Sequence, residues 1–139
     1  MLAEGQELAE KKFDADFYSD LHDPARYTSI KTIEKTTFDG RPCYKISLIK
    51  PDGGEDFEFY DVGTGLKAGA TATRHSSMGP ITATQVLADY KKFGDLLVPT
   101  TMRQTQMGIE QQLKITVVEW DKVPPSTFDP PAQIKALIK

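Results

Sequence analysis

A chain of 139 residues, 39% apolar and 27% charged, has material for one globular core. Its formal charge of −3 argues against a nucleic-acid binder, and no run of about 18 apolar residues is present to span a bilayer. Cys43 is the only cysteine, which excludes an intramolecular disulfide and a thiolate metal site built from this chain.

Residues 1–18 read as an amphipathic helix, with Leu8, Phe13 and Phe17 near helical spacing and Glu and Lys between them. Leu21-His22-Asp23-Pro24 stops it, since proline disfavours the helical conformation in the residue before it. From Thr28 the period changes to two. Residues 28–38 are rich in Thr and Ile, and Asp39-Gly40 is a strong hairpin signal. Residues 43–49 then set Tyr44, Ile46 and Leu48 against Lys45 and Ser47, and Pro51-Asp52-Gly53-Gly54 turns the chain again. Residues 55–61 set Phe57 and Phe59 against Asp56, Glu58 and Tyr60, ending at Gly63-Thr64-Gly65.

A fourth strand, 66–76, alternates Ala68, Ala70 and Ala72 with Gly69, Thr71 and Thr73, which leaves space above it. A fifth runs from Ile81 to Tyr90 after Met78-Gly79-Pro80, and Lys91 to Asp95 turns the chain. The sixth, 97–106, contains Pro99, which marks a strand edge or start because proline lacks a ladder donor. After Met107-Gly108 comes the longest apolar alternation, Leu113, Ile115 and Val117 against Lys114, Thr116, Val118 and Trp120, until Pro124-Pro125 ends the sheet. Residues 124–139 form a tail whose Ile134, Leu137 and Ile138 suit a short helix. Strands joined by two to five residues pair antiparallel, because parallel neighbours need longer crossovers. The expectation is an α+β, mainly β chain: a single domain over 1–139, or a part of a longer one. Its core is a curved antiparallel meander of about seven strands over residues 28–123 with an N-terminal helix. No strand-helix-strand unit supports a nucleotide fold.

Chemistry-bearing residues are sparse. His22 and His75 are the only histidines and have no partner at metal-ligand spacing, so a structural or exposed role is expected, with no metal and no cofactor. Ser76 and Ser77 adjoin His75, but neighbouring strand residues point to opposite faces and there is no nucleophile elbow. Glu55, Asp56, Glu58 and Asp61 crowd one hairpin. A paired-carboxylate hydrolase site there competes with a solvated strand face, and the solvated face is the better reading. Asp52-Gly53-Gly54-Glu55-Asp56 lacks the ligand spacing of a calcium loop and reads as a turn. Cys43 reads as a half-buried thiol, and Tyr90 and Trp120 as core aromatics before pocket residues. No catalytic residue is assigned.

The sheet itself poses a question of coverage. A helix of about 16 residues cannot cover a sheet roughly 30 Å wide at ~4.8 Å per strand. Sheet curvature, a partner, a second copy in a homodimer, another segment of a longer chain or an apolar ligand must take the remaining surface.

Several runs in order carry a resemblance: Asp39-Gly40-Arg41-Pro42-Cys43-Tyr44-Lys45-Ile46-Ser47-Leu48, Phe59-Tyr60-Asp61, Thr64-Gly65-Leu66, Met78-Gly79-Pro80-Ile81, Asp89-Tyr90-Lys91, Leu97-Val98-Pro99 and Phe128-Asp129-Pro130-Pro131. Over residues 28–131 the chain resembles the C-terminal part of bacterial outer-membrane lipoprotein-sorting-like proteins, the LolA/LolB superfamily. That resemblance implies an incomplete β-barrel with helices as a lid and an apolar cup that holds a lipid or the acyl chain of a lipoprotein without catalysis. It also implies a periplasmic or outer-membrane-associated location. The first residues lack a signal-peptide pattern, so a cytoplasmic chain or a removed leader fits them. Tyr44, Ile46, Leu48, Phe57 and Phe59 are the expected cup lining. The alternative is a structural or interaction module that packs its apolar sheet face on a partner or second copy.

Overall fold

A computed structural model describes residues 4–16, 24–76 and 79–137. The expected Leu2 and Phe17 contributions to the helix, the His22 segment, Ser77, Met78 and Ile138 lie outside the described residues. Helix α1 spans Gly5–Asp14. Seven strands follow: β1 Ser29–Phe38, β2 Arg41–Ile49, β3 Glu55–Asp61, β4 Lys67–Ser76, β5 Gly79–Phe93, β6 Leu96–Gln106 and β7 Ile109–Lys114. They form one sheet in the order β1-β2-β3-β4-β5-β6-β7, every neighbour antiparallel, and β1 and β7 remain its two edges, so the sheet does not close into a barrel.

Local chemistry explains the folding back. Asp39 and Gly40 both have positive φ (49° and 74°), as do Met107 and Gly108 (51° and 76°), the backbone of two-residue hairpins whose twist matches the flanking strands. The β3–β4 turn is closed by the Asp61 carboxylate, which accepts the N–H groups of Gly63 (2.9 Å) and Thr64 (2.8 Å) and the Thr64 hydroxyl. These bonds hold Asp61 below the ordinary carboxylate pKa, first through the Thr64 amide and hydroxyl.

Pairing assigns the two faces of the sheet. Ser47 sits opposite Phe57 and Lys45 opposite Phe59, so Cys43, Lys45, Phe57 and Phe59 share one face with Gly69 and Thr71. Ile46 sits opposite Glu58 and Leu48 opposite Asp56, so Tyr44, Ile46, Leu48, Asp56 and Glu58 share the other with Ala70 and Ala72. The small core lies on the first face: Cys43, Phe59 and Ala68 are buried, with Phe38 and Phe57 packed on them. The Phe38 and Phe59 rings stack at 4.0 Å with 10° between planes. Phe38 reaches over Gly69, where a Cβ would stand 2.6 Å from its ring, so only glycine admits the aromatic there. Burying Phe59 contributes about 2–3 kcal/mol.

Three elements differ from the sequence expectation. The sheet stops at Lys114 instead of running to residue 123; the Ile115 N–H donates to the Thr100 carbonyl (2.8 Å) as the last rung. Val117, Trp120 and Val123 remain exposed, with no element among the described residues packed beside them, and apolar alternation fixes a strand only where one face can be buried. β5 is longer than expected, reaching Phe93, because Lys91 and Lys92 continue the ladder against Val98 and Leu97. In α1, Leu8 is exposed and Glu10 is the buried residue, so the inward face is rotated from the apolar stripe. Pro99 meets its expectation of an edge position: β7 covers β6 only from Thr101 onward, so Pro99 lies where β6 is the sheet edge, opposite Tyr90, next to Asp89 with its positive φ of 53°. The tail forms a 3₁₀ turn at Pro125–Phe128 and a one-turn helix α2 at Ala132–Lys135, both without buried residues.

Candidate functional site

Helix α1 lies against β4 on the face that carries Lys50, Asp56 and Arg74, and its fixings come from two adjacent strand residues. The Glu10 carboxylate accepts the His75 backbone N–H (2.7 Å) and bonds the His75 Nδ1 (2.8 Å). One turn later Asp14 takes the Arg74 guanidinium side-on, from Nε at 2.9 Å and Nη2 at 3.0 Å. The remaining Arg74 nitrogen, Nη1, donates to both Asp56 oxygens (3.1 and 2.9 Å), and Lys50 Nζ stands 3.5 Å from the same carboxylate. Partial burial works against the Arg74 charge, but the bonds and charges of Asp14 and Asp56 outweigh it and hold the guanidinium protonated.

Between helix and sheet this arrangement leaves a cavity of about 160 Å³ lined by Ala9, Glu10, Phe13, Lys50, Pro51 and Arg74, together with Asp52. Its walls are almost wholly apolar, because Lys50 and Arg74 turn their heads into the Asp56 ion pairs and present methylene stems to the cavity. Phe13 is held edge-on to Tyr27, ring centroids 5.4 Å apart, with the Arg26 guanidinium 3.9 Å over its ring. Lys50 stands two residues beyond Leu48, so Leu48, Ile46 and Tyr44 lie on the same face of the sheet as the cavity without lining it.

The five expected lining residues are therefore not brought together. Tyr44, Ile46 and Leu48 share the helix-bearing face, and Phe57 and Phe59 point to the opposite one, where Phe59 belongs to the small core. The physical reason is the β2–β3 register: Ser47 pairs with Phe57, which puts odd-numbered residues of both strands on one face. Two of the aromatics also carry cations, Lys35 Nζ at 5.0 Å from the Tyr44 ring and Lys45 Nζ at 4.4 Å from the Phe57 ring.

The other sequence candidates have structural partners. Glu55 and Asp61 lie on the face opposite Asp56 and Glu58. Glu55 accepts the Ser47 hydroxyl, and Glu58 pairs with Lys67 and accepts the Tyr60 hydroxyl (2.8 Å). Asp52 accepts the Gly54 N–H (2.9 Å), an ordinary turn contact. Cys43 is fully buried and burial raises its thiol pKa. The Tyr90 hydroxyl donates to the Lys67 carbonyl (2.7 Å), and Trp120 is exposed. Among the described residues no group of three or more His, Cys, Asp or Glu side chains is placed to hold a metal, and no helix is long and apolar enough to cross a membrane.

Glu10, Asp14, Arg74 and Lys50 were not singled out by sequence reasoning. The available signal was the pair Arg74-His75, two large polar residues closing a strand otherwise built of Ala, Gly and Thr.

Fold and site together define an open antiparallel sheet with one helix strapped over an apolar cavity. No family model, curated protein or solved structure matches the chain.

Proposed function

We propose that this chain binds an acyl chain of a lipid or of an acylated protein, without catalysis, as its resemblance to lipoprotein-sorting-like proteins implies. The observation that carries the reading is the carbon-walled pocket beneath α1. An apolar space of about 150 Å³ accommodates a benzene-sized guest, so this half-open pocket has room for the end of an acyl chain. Each buried methylene contributes about 0.8 kcal/mol, and five give about 4 kcal/mol before ordering costs. The heads of Lys50 and Arg74 are taken up by Asp56 and Asp14, so an acyl chain end would meet only their methylene stems. The reading places the protein with extracytoplasmic lipid-handling domains of bacteria.

Displacement of a fluorescent fatty acid by palmitate tests it, together with native mass spectrometry of gently purified protein. The expected result is saturable displacement that is lost in Ala9→Trp, which fills the cavity from the exposed helix side while leaving the circular dichroism spectrum unchanged. Absence of both probe binding and retained lipid, or binding indifferent to Ala9→Trp, refutes this site.

A further inference from the structure

The two edges of the sheet are built differently. β1 carries a bulge between Thr32 and Glu34, and Lys31 and Lys35 stand on either side of it, devices that keep an edge from pairing with another strand. β7 has none of this irregularity: its register with β6 runs unbroken from Ile109 to Lys114, and all six of its residues are exposed. Because the Ile115 N–H points to β6, alternation directs the backbone groups of Glu110, Gln112 and Lys114 outward from the sheet. These three side chains also share one face, the face of Arg103 and Thr105.

We propose that β7 pairs antiparallel with β7 of a second copy, across a two-fold axis at Gln112, to make one continuous sheet. A perpendicular two-fold preserves the faces of the sheet, so residues of equal parity must oppose each other. With the axis at Gln112, every outward-facing residue of β7 meets another: Gln112 meets its own symmetry mate, and Glu110 meets Lys114 of the partner copy twice. Opposite charges directly across an antiparallel pair attract, and here one strand carries both signs at the spacing that self-pairing requires. On the other face the same register sets Ile109, 65% exposed in the single chain, against Ile115 of the second copy. Among the described residues neither Glu110 nor Lys114 forms an ion pair, although Glu110 lies within the electrostatic reach of Arg103. The second copy is the occupant that the charge pattern of β7 selects, and the contact is closed, so it yields dimers and not filaments.

Sedimentation equilibrium of the whole chain over a concentration series reads the association, with circular dichroism to check that each variant folds. A reversible monomer–dimer equilibrium is expected. Glu110→Lys and Lys114→Glu, each of which sets like charges opposite each other at both sites, weaken the dimer about tenfold, and the double reversal restores it. Under mild oxidation Gln112→Cys forms a covalent dimer, since directly opposed hydrogen-bonded residues lie about 5.5 Å apart at Cα, and Gln111→Cys does not. A monomer at every concentration, a dimer indifferent to the single reversals, or failure of the double reversal to restore it overturns the pairing.

Discussion

The Glu10 carboxylate holds His75 twice, accepting its backbone N–H at 2.7 Å and bonding its Nδ1 at 2.8 Å, across 65 residues of chain. It is the fixing that sets α1 on the end of β4. Burial alone raises the Glu10 pKa, yet the His75 bonds and charge reverse that, leaving it below its ordinary value of 4.5. A carboxyl depressed in the folded state contributes stability that is fully present above its unfolded pKa and is lost as pH falls through the folded one. Thermal melts from pH 7 downward therefore show a loss on the acid side of pH 4.5 to which Glu10 contributes. Glu10→Gln lowers stability at pH 7 by about 1–2 kcal/mol and flattens that acid limb. An acid limb unchanged by the substitution contradicts the role given to Glu10.

Arg74 joins helix to sheet because its three nitrogens are divided between Asp14 and Asp56. Arg74→Met keeps the stem that walls the cavity and removes both ties, leaving the buried Asp56 carboxylate with Lys50 and the Thr73 N–H. A loss of about 1–3 kcal/mol is expected, discounted for the partial exposure of the guanidinium. Asp14→Asn breaks only the solvent-side tie and costs less than about 1 kcal/mol. Hydrogen exchange distinguishes the two: α1 amides exchange faster in both variants, and β3 and β4 amides only in Arg74→Met. Equal effects at both places argue against the division.

Gly69 lies at the meeting point of four strands' worth of contacts. A methyl group there falls inside contact distance of the Gln85 carbonyl oxygen and 2.6 Å from the Phe38 ring. The ring can move; the carbonyl belongs to the neighbouring strand's backbone. Gly69→Ala is expected to cost about 2–4 kcal/mol in urea denaturation, and combining it with Phe38→Leu relieves only part of the loss. A neutral Gly69→Ala contradicts the close approach.

The meander was legible because each turn announces itself: Asp39-Gly40 and Met107-Gly108 adopt paired positive φ, and period-two runs fill the intervals. The faces were less so. Alternation divides each strand into two sets, Tyr44, Ile46 and Leu48 in β2 and Phe57 and Phe59 in β3, but says nothing of which sets meet. That is decided by the number of residues in the turn at 50–54, and it put the five apolar candidates on opposite faces. The end of β7 escaped for a related reason. Leu113, Ile115 and Val117 alternate as a buried strand would, yet burial requires a covering element; Ile115 is only half-buried, and among the described residues none covers Leu113 and Val117. The cavity was hidden because part of its wall is the stems of Lys50 and Arg74, whose pairing partners come from two other elements, α1 and β3.

Cys43 offers a check on the small core that is independent of the helix. Its side chain is fully buried beside Phe59 and Ala68, and burial pushes its thiol above the ordinary cysteine value, with Asp61 adding to the rise and Arg41 opposing it. Both effects suppress the reactive thiolate, the first by excluding reagent and the second by keeping the sulfur protonated. Native protein at pH 8 is therefore expected to react with a thiol reagent only as fast as the core opens, with the reaction becoming rapid in denaturant. Phe59→Ala removes one wall of that core and speeds the native reaction, whereas Asp14→Asn, which loosens only α1 on the opposite face, leaves it slow. Rapid labelling of the unmodified native chain, or acceleration by Asp14→Asn equal to that by Phe59→Ala, contradicts a core on the face away from α1.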